Sequence, residues 1–200
     1  MPLVDPLESL LEERKQARKS ERQQQAAATP TIAVPADPSE FEGLAADDLK
    51  EAFSLKTKFQ RASKKYAVPT EILAGMASRE SRMGKHLNEE GYDPDKKAFG
   101  ILQVDERYHK RRGTKPDDQA HIDQAAEILR SYRNQMDRKF PDWSDDERWR
   151  GAVAAYNMGP GNVRTLKDLD KGTTGDNYSE DVMARAKFFR SQMEQKAKKK

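Results

Sequence analysis

The segment Thr70-Glu71-Ile72-Leu73-Ala74-Gly75-Met76-Ala77-Ser78-Arg79-Glu80-Ser81-Arg82-Met83-Gly84 reads as one helix whose apolar face ends in a carboxylate. Pro69 and Thr70 open it. Ile72, Leu73, Met76 and Ala77 recur at the three- and four-residue spacing that stacks side chains on one side of a helix. Gly84 is placed to end it. Position 80 continues the apolar face, so an acid stands where hydrocarbon is expected. Lost hydration favours the protonated form of such a group, and the carbonyls of the last helical turn add a negative potential that acts the same way. A carboxylic acid still protonated near neutral pH can give a proton to a leaving oxygen. Arg79 and Arg82 would oppose this, but their spacing points them off the face. The competing expectation is a structural ion pair between Glu80 and an arginine from another element, since such networks also perturb pKa values.

On both sides of this segment the pattern is helical. Leu49, Ala52, Phe53, Phe59, Ala62 and Tyr66 make a stripe upstream. Downstream, residues 85–98 are charged and loop-like, and Phe99-Gly100-Ile101-Leu102-Gln103-Val104 is a short apolar run that suits a strand or hairpin edge. Ile122, Ala125, Ala126, Leu129, Tyr132, Met136 and Phe140 predict a long helix stopped by Pro141. Ser144 and Glu147 form a capping box for a helix carrying Trp149, Ala152, Val153 and Tyr156. Asn157 to Asn162 is a dense turn. A last helix presents Val182, Met183, Ala186 and Phe189.

The chain divides near residue 40. Residues 1–40 read as a flexible tail and linker, partly helical where Asp5, Pro6 and Glu8 can start a helix with Leu7, Leu10 and Leu11 on one face. Pro30, Pro35 and Pro38 mark an extended linker. Residues 41–195 form the folded domain, and 196–200 a basic, frayed end. No apolar run approaches the ~20 residues that span a bilayer. Met1 to Asp5 lacks the basic-then-apolar pattern of a cleavable signal peptide. With no cysteine, disulfides, thiolate metal sites and a cysteine nucleophile are excluded. A net charge of +3 favours anionic partners in general and is too diffuse to indicate nucleic acid.

Other side chains could complete a site around Glu80. Asp105 follows the apolar run, where a carboxylate can project into a cleft, and Asp93 and Asp95 stand in the polar loop before it. Each alone suits a solvated surface acid. Two carboxyl groups flanking a cleft are the requirement of glycoside hydrolysis. Tyr156 and Asn157, at a helix end, suit either core packing and capping or a sugar groove. His86, His109 and His121 have no metal-ligand spacing. Ser78 and Ser81 lack a base partner, and Gly159-Pro160-Gly161 is a turn rather than a phosphate loop. The run His109-Lys110-Arg111-Arg112 suits a solvated loop or an attractor for an anionic wall polymer.

Five ordered segments carry a resemblance: Gly75 to Gly84; Phe99 to Asp105; Ala155-Tyr156-Asn157-Met158-Gly159; Gly161-Asn162-Val163-Arg164; and Gly172-Thr173-Thr174 through Tyr178 to Ala186. Over roughly residues 45–190 the chain resembles the goose-type lysozymes, and the first forty residues have no recognised counterpart. The resemblance implies a lysozyme-like α+β fold, mostly helical, with a small antiparallel sheet flanking the cleft. It implies hydrolysis of bacterial peptidoglycan at the β-1,4 bond between N-acetylmuramic acid and N-acetylglucosamine, with inversion. Glu80 matches the family's acid and Asp105 the aspartate that helps to hold the attacking water. Asp93, with Asp95 beside it, flanks the expected place of the second aspartate. Gln103, His109, Tyr156, Asn157 and Tyr178 match positions near the sugar groove. No cofactor or metal is implied. The implied partners are peptidoglycan and protein inhibitors of lysozymes, and the implied state is a monomer. Action on the bacterial wall leaves the location open between an extracellular setting and action after lysis or phagocytosis, and it leaves the export route open too. The alternatives are a lytic transglycosylase, which yields 1,6-anhydromuramic products, and a non-catalytic wall-binding module.

Overall fold

In the computed structural model, residues 38–94 and 97–198 are described. The proposed leucine-faced N-terminal helix, Pro30, Pro35, Asp95 and the last two lysines lie outside the described residues. Among the described residues, six α-helices and a two-stranded sheet follow one another: α1 (Pro38–Asp47), α2 (Leu49–Tyr66), α3 (Thr70–Ser81), β1 (Ala98–Phe99), β2 (Val104–Asp105), α4 (Gln119–Lys139), α5 (Asp145–Met158) and α6 (Tyr178–Lys198). Short 3₁₀ turns occupy Pro160–Asn162 and Thr174–Asp176. The architecture is α+β, mostly helical, with a small antiparallel sheet. No helix among the described residues is long and apolar enough to cross a membrane.

Several local expectations are corrected. Pro38 opens α1 rather than prolonging a linker, which its fixed φ and missing N–H permit in a first turn. On α2 the buried residues are Ala52, Leu55, Phe59 and Ala62. Leu55 stands where Phe53 was expected, because the buried line steps by three, four and three. Phe53 instead lies under the Lys196 ammonium, 4.0 Å from its ring centre. Gly84 does not end α3: the helix closes at Ser81, and Arg82 takes the left-handed conformation at φ 51°. The Met83 N–H reaches back to the Ala77 carbonyl at 3.0 Å, which satisfies carbonyls that the last turn leaves open. The Arg82 guanidinium is anchored 2.8 Å from the buried Asp48 carboxylate, which fixes this non-glycine residue in an unusual backbone region. The capping box of Ser144 and Glu147 is present at the start of α5.

Helix α3 is the centre of the molecule. Every residue from Ile72 to Arg79 is buried, not only the predicted face, because α1, α2 and α6 all pack on it. Its closest packing is on α6. Gly75 makes that approach possible: a Cβ there would lie 2.6 Å from the Val182 carbonyl oxygen and 3.1 Å from the Ala186 nitrogen. Backbone therefore meets backbone, and the end of α3 is set against the start of α6.

Of the two expectations for the Phe99 to Val104 run, a strand or a hairpin edge, the structure has the hairpin. Ala98 pairs with Asp105 and Phe99 with Val104. Gly100 (φ 76°) and Gln103 (φ 46°) turn the chain between them. Three helices pin this turn through its main chain. From α3, the Ser81 hydroxyl donates to the Ile101 carbonyl at 2.9 Å. From α4, His121 Nε2 accepts the Leu102 N–H at 3.1 Å. From α5, the Tyr156 hydroxyl donates to the Leu102 carbonyl at 2.9 Å. The hairpin is thereby held beside the end of α3.

Gly75→Ala is expected to force α3 and α6 apart and to destabilise the fold by ~1–3 kcal/mol, as overpacking of a filled core does. Urea unfolding measures this, and an unchanged midpoint would mean that the close approach is not needed.

Candidate active site

Glu80 lies in the last turn of α3 beside the first residue of α6. The Tyr178 hydroxyl donates a hydrogen bond to Glu80 Oε1. No ion pair to Glu80 is present among the described residues, so the expected alternative of a structural arginine partner is not what the structure contains. Burial pushes the Glu80 carboxyl up to about 7. The Tyr178 hydroxyl and the Arg79 charge oppose that rise, and the negative charge of Asp93 adds to it. Tyr156 and Tyr178 are held well above the ordinary tyrosine value, by burial first and then by the charge of Glu80. The acid is therefore flanked by an aromatic hydroxyl from α5 and another from α6.

One aspartate is in the hairpin and the other in the loop bonded to it. Asp93 Oδ1 accepts the N–H groups of Lys97 and Ala98 at 2.9 and 3.1 Å, and its own N–H donates to the Ala98 carbonyl at 3.2 Å. Ala98 is also the cross-strand partner of Asp105, so one residue of β1 ties both acids into the same ladder. Asp105 lies within β2 rather than after a strand. Its Oδ1 accepts the Arg107 N–H at 2.9 Å, and its Oδ2 meets the Arg107 guanidinium at 2.6 Å.

The remaining predicted residues divide into two groups. Tyr156 and Asn157 are committed to the protein: Tyr156 to the Leu102 carbonyl, and Asn157 to Thr174, whose N–H it accepts at 2.9 Å and whose hydroxyl it meets at 3.1 Å. Tyr178 is only 1% exposed and reaches the site through Glu80. Gln103 and His109 stay partly open. The Gln103 amide donates to the Gly100 carbonyl at 2.7 Å. His109, whose N–H donates to the Asp105 carbonyl at 3.0 Å, lines a cavity of about 300 Å³ together with Arg112, Gln124, Ile128 and Tyr132. Among the described residues, no three His, Asp or Glu side chains converge to hold a metal ion.

A charged group behind the acid escaped the sequence reading. The spacing points Arg79 off the apolar face of Glu80; it is nonetheless buried, against α6, with its Nε 2.8 Å from Asp181 Oδ2. Asp181 also binds Arg185, four residues along α6, and that acid-before-base spacing was the available signal. His121 was missed as well. It is fully buried and holds the hairpin turn, and a Cβ on Gly100 would lie only 2.4 Å from its ring nitrogen.

A protein-family model for lysozyme g matches residues 19–193. The chain belongs to the lysozyme g family. It is 40% identical over 147 residues to lysozyme g of Gallus gallus, covering 74% of this chain and 69% of the relative. Identity is 38% over 147 residues with lysozyme g of Casuarius casuarius, covering 74% of this chain and 78% of the relative. It is 38% over 148 residues with lysozyme g of Cyprinus carpio, covering 74% and 79%. The match to the lysozyme g family begins at residue 19, well upstream of the motifs that first suggested the resemblance and inside the segment expected to have no counterpart. The chain is an enzyme, a glycoside hydrolase of the lysozyme class.

His121 makes the stability of this lysozyme g domain depend on pH. Burial pushes its imidazole down to about 4, against the opposing charges of Asp118 and Asp117. Between about 4 and the unfolded value of 6.5 the unfolded chain binds the extra proton. The contribution is therefore complete above 6.5 and falls by about 3 kcal/mol as the pH drops to 4. Glu80 acts in the opposite sense over an overlapping window, so the contribution is read from a difference. Urea midpoints of the wild type should rise with pH relative to those of His121→Gln; parallel curves would remove His121 from this role.

Proposed function

We propose that this lysozyme hydrolyses bacterial peptidoglycan at the β-1,4 bond between N-acetylmuramic acid and N-acetylglucosamine, with Glu80 as the general acid. The observation that carries this reading is the Glu80 carboxyl pushed up to about 7 by burial, with Tyr178 on one oxygen. Holding Oε1 orients the group and leaves Oε2 to carry the proton toward the glycosidic oxygen. As the bond lengthens, positive charge grows on the muramic ring. Asp93 and Asp105, tied to the same ladder through Ala98, supply negative charge and acceptors for a water on the opposite face. Attack by that water inverts the anomeric centre. Gln103 and His109 are partly open, and they suit direct contact with sugars. Tyr156 and Asn157 hold the groove's walls in place, and Tyr178 acts through Glu80. Lysis of bacterial walls follows from cutting the glycan strand.

Glu80→Gln should fold and lose at least about a hundredfold in wall lysis, the lower range for removing a general acid. Asp105→Asn should lose less. Wild-type activity should fall as the pH rises through about 7, because the protonated carboxyl is the working form. Clearing of a cell suspension by Glu80→Gln at the wild-type rate would remove Glu80 from the acid role. Mass spectrometry of the soluble fragments separates the two modes of cleavage: hydrolysis adds water, whereas 1,6-anhydromuramic products would assign transglycosylation.

A further inference from the structure

We propose that Asp181 is a positioning residue for the acid: it holds the Arg79 guanidinium on the α6 side of α3 and shares its charge, so that Glu80 meets a partly neutralised cation. This rests on the reading of Glu80 as the general acid and concerns how that group is kept in its working form.

Arg79 is the residue before Glu80, and its charge opposes protonation of that carboxyl. Inside a protein an unshared cation beside a carboxyl lowers its pKa by one to three units. Here the cation is shared. Arg79 and Asp181 side chains are 9% and 3% exposed, and Nε stands 2.8 Å from Oδ2. The N–H of that nitrogen is not aligned on a hydrogen-bond acceptor, so the contact is one of charge with charge. Asp181 is held in turn by Arg185, whose Nε lies 2.5 Å from Oδ1 and whose Nη2 lies 3.1 Å from Oδ2. Arg185 Nη1 donates to the Ser78 hydroxyl at 2.9 Å, and that hydroxyl donates to the buried Asp48 at 2.7 Å. Positive and negative groups thus alternate from α6 through α3 to the start of α2.

The same contact bears on geometry. The Arg79 guanidinium lies 5.7 Å from the centre of the Tyr178 ring, and its Nη2 donates to the Thr174 carbonyl at 3.3 Å. Asp181 fixes Arg79, Arg79 braces the Tyr178 ring, and the Tyr178 hydroxyl holds Glu80. The other groups whose charge or hydroxyl acts on Glu80 are Asp93 from the loop before β1 and Tyr178 from α6; Tyr156 from α5 feels the charge of Glu80 in turn. Arg79 is the cation among them.

The test compares Asp181→Asn with Arg79→Gln, and reads two quantities in each. One is the titration of the Glu80 carboxyl by ¹³C NMR of glutamate-labelled protein. The other is the alkaline limb of kcat/KM on purified peptidoglycan. Asp181→Asn leaves Arg79 unshared and should move both readings down by about one pH unit, the low end of the range for a neighbouring charge. Asp181→Glu should restore them. Arg79→Gln removes the cation and should move both readings up. A purely structural role would not shift one limb in opposite directions. Readings that stay at the wild-type value in both variants, or move the same way in both, overturn the proposal. If Asp181→Asn does not fold, Arg79→Gln decides: an upward shift supports the proposal and none overturns it. Loss of the Asp181 inference leaves the role of Glu80 standing, whereas full lysis by Glu80→Gln removes that role whatever the titrations read.

Discussion

The desolvation of Glu80 is the constraint on which the site depends. Burial at the end of a largely enclosed helix raises the Glu80 carboxyl above its ordinary range, against a tyrosine hydroxyl on one oxygen. Much of the surrounding structure maintains that condition. Gly75 lets α6 approach α3 until backbones touch, which brings Tyr178 to the acid. Arg82, in a left-handed conformation and anchored to Asp48, turns the chain sharply away after α3 so that the hairpin can fold back beside it.

Two titratable groups of opposite kind, one half-buried and one buried, stand within this small region. Glu80 is shifted toward its protonated form and His121 toward its deprotonated form, and each costs stability where the unfolded chain would ionise it. Their windows overlap, with opposite signs. The net pH dependence of the folded domain therefore hides two large terms, and a flat stability curve would not mean that the site lacks perturbed groups.

The part of this that depends on local pattern was legible in the sequence. The stripe of Ile72, Leu73, Met76 and Ala77 continued by Glu80 announced a buried acid, and Ser144 with Glu147 announced the start of α5. What depends on three-dimensional surroundings was not. A four-residue face suggested a half-buried α3, whereas helices from distant parts of the chain enclose it. That enclosure buries Arg79, which the spacing alone places off the apolar face. The Gly100 turn decides between the strand and the hairpin edge that the apolar run left open, because a buried histidine 21 positions on occupies the space where a Cβ would stand. Tyr178 looked like a groove residue from motif position, and only the packing of α6 assigns its hydroxyl to the acid.

The bond between Tyr178 and Glu80 joins residues 98 positions apart, and the Tyr156 contact to the hairpin turn spans 54. Contacts of such separation close late, after the loops between them have been ordered. A chain growing from its N-terminus thus carries α3 and the hairpin long before α6 exists. Until α6 docks, the wall that strips water from Glu80 is open on that side, and the carboxylate remains an ordinary hydrated acid. The raised carboxyl is thus a property of α3 packed against α6 and not of α3 alone.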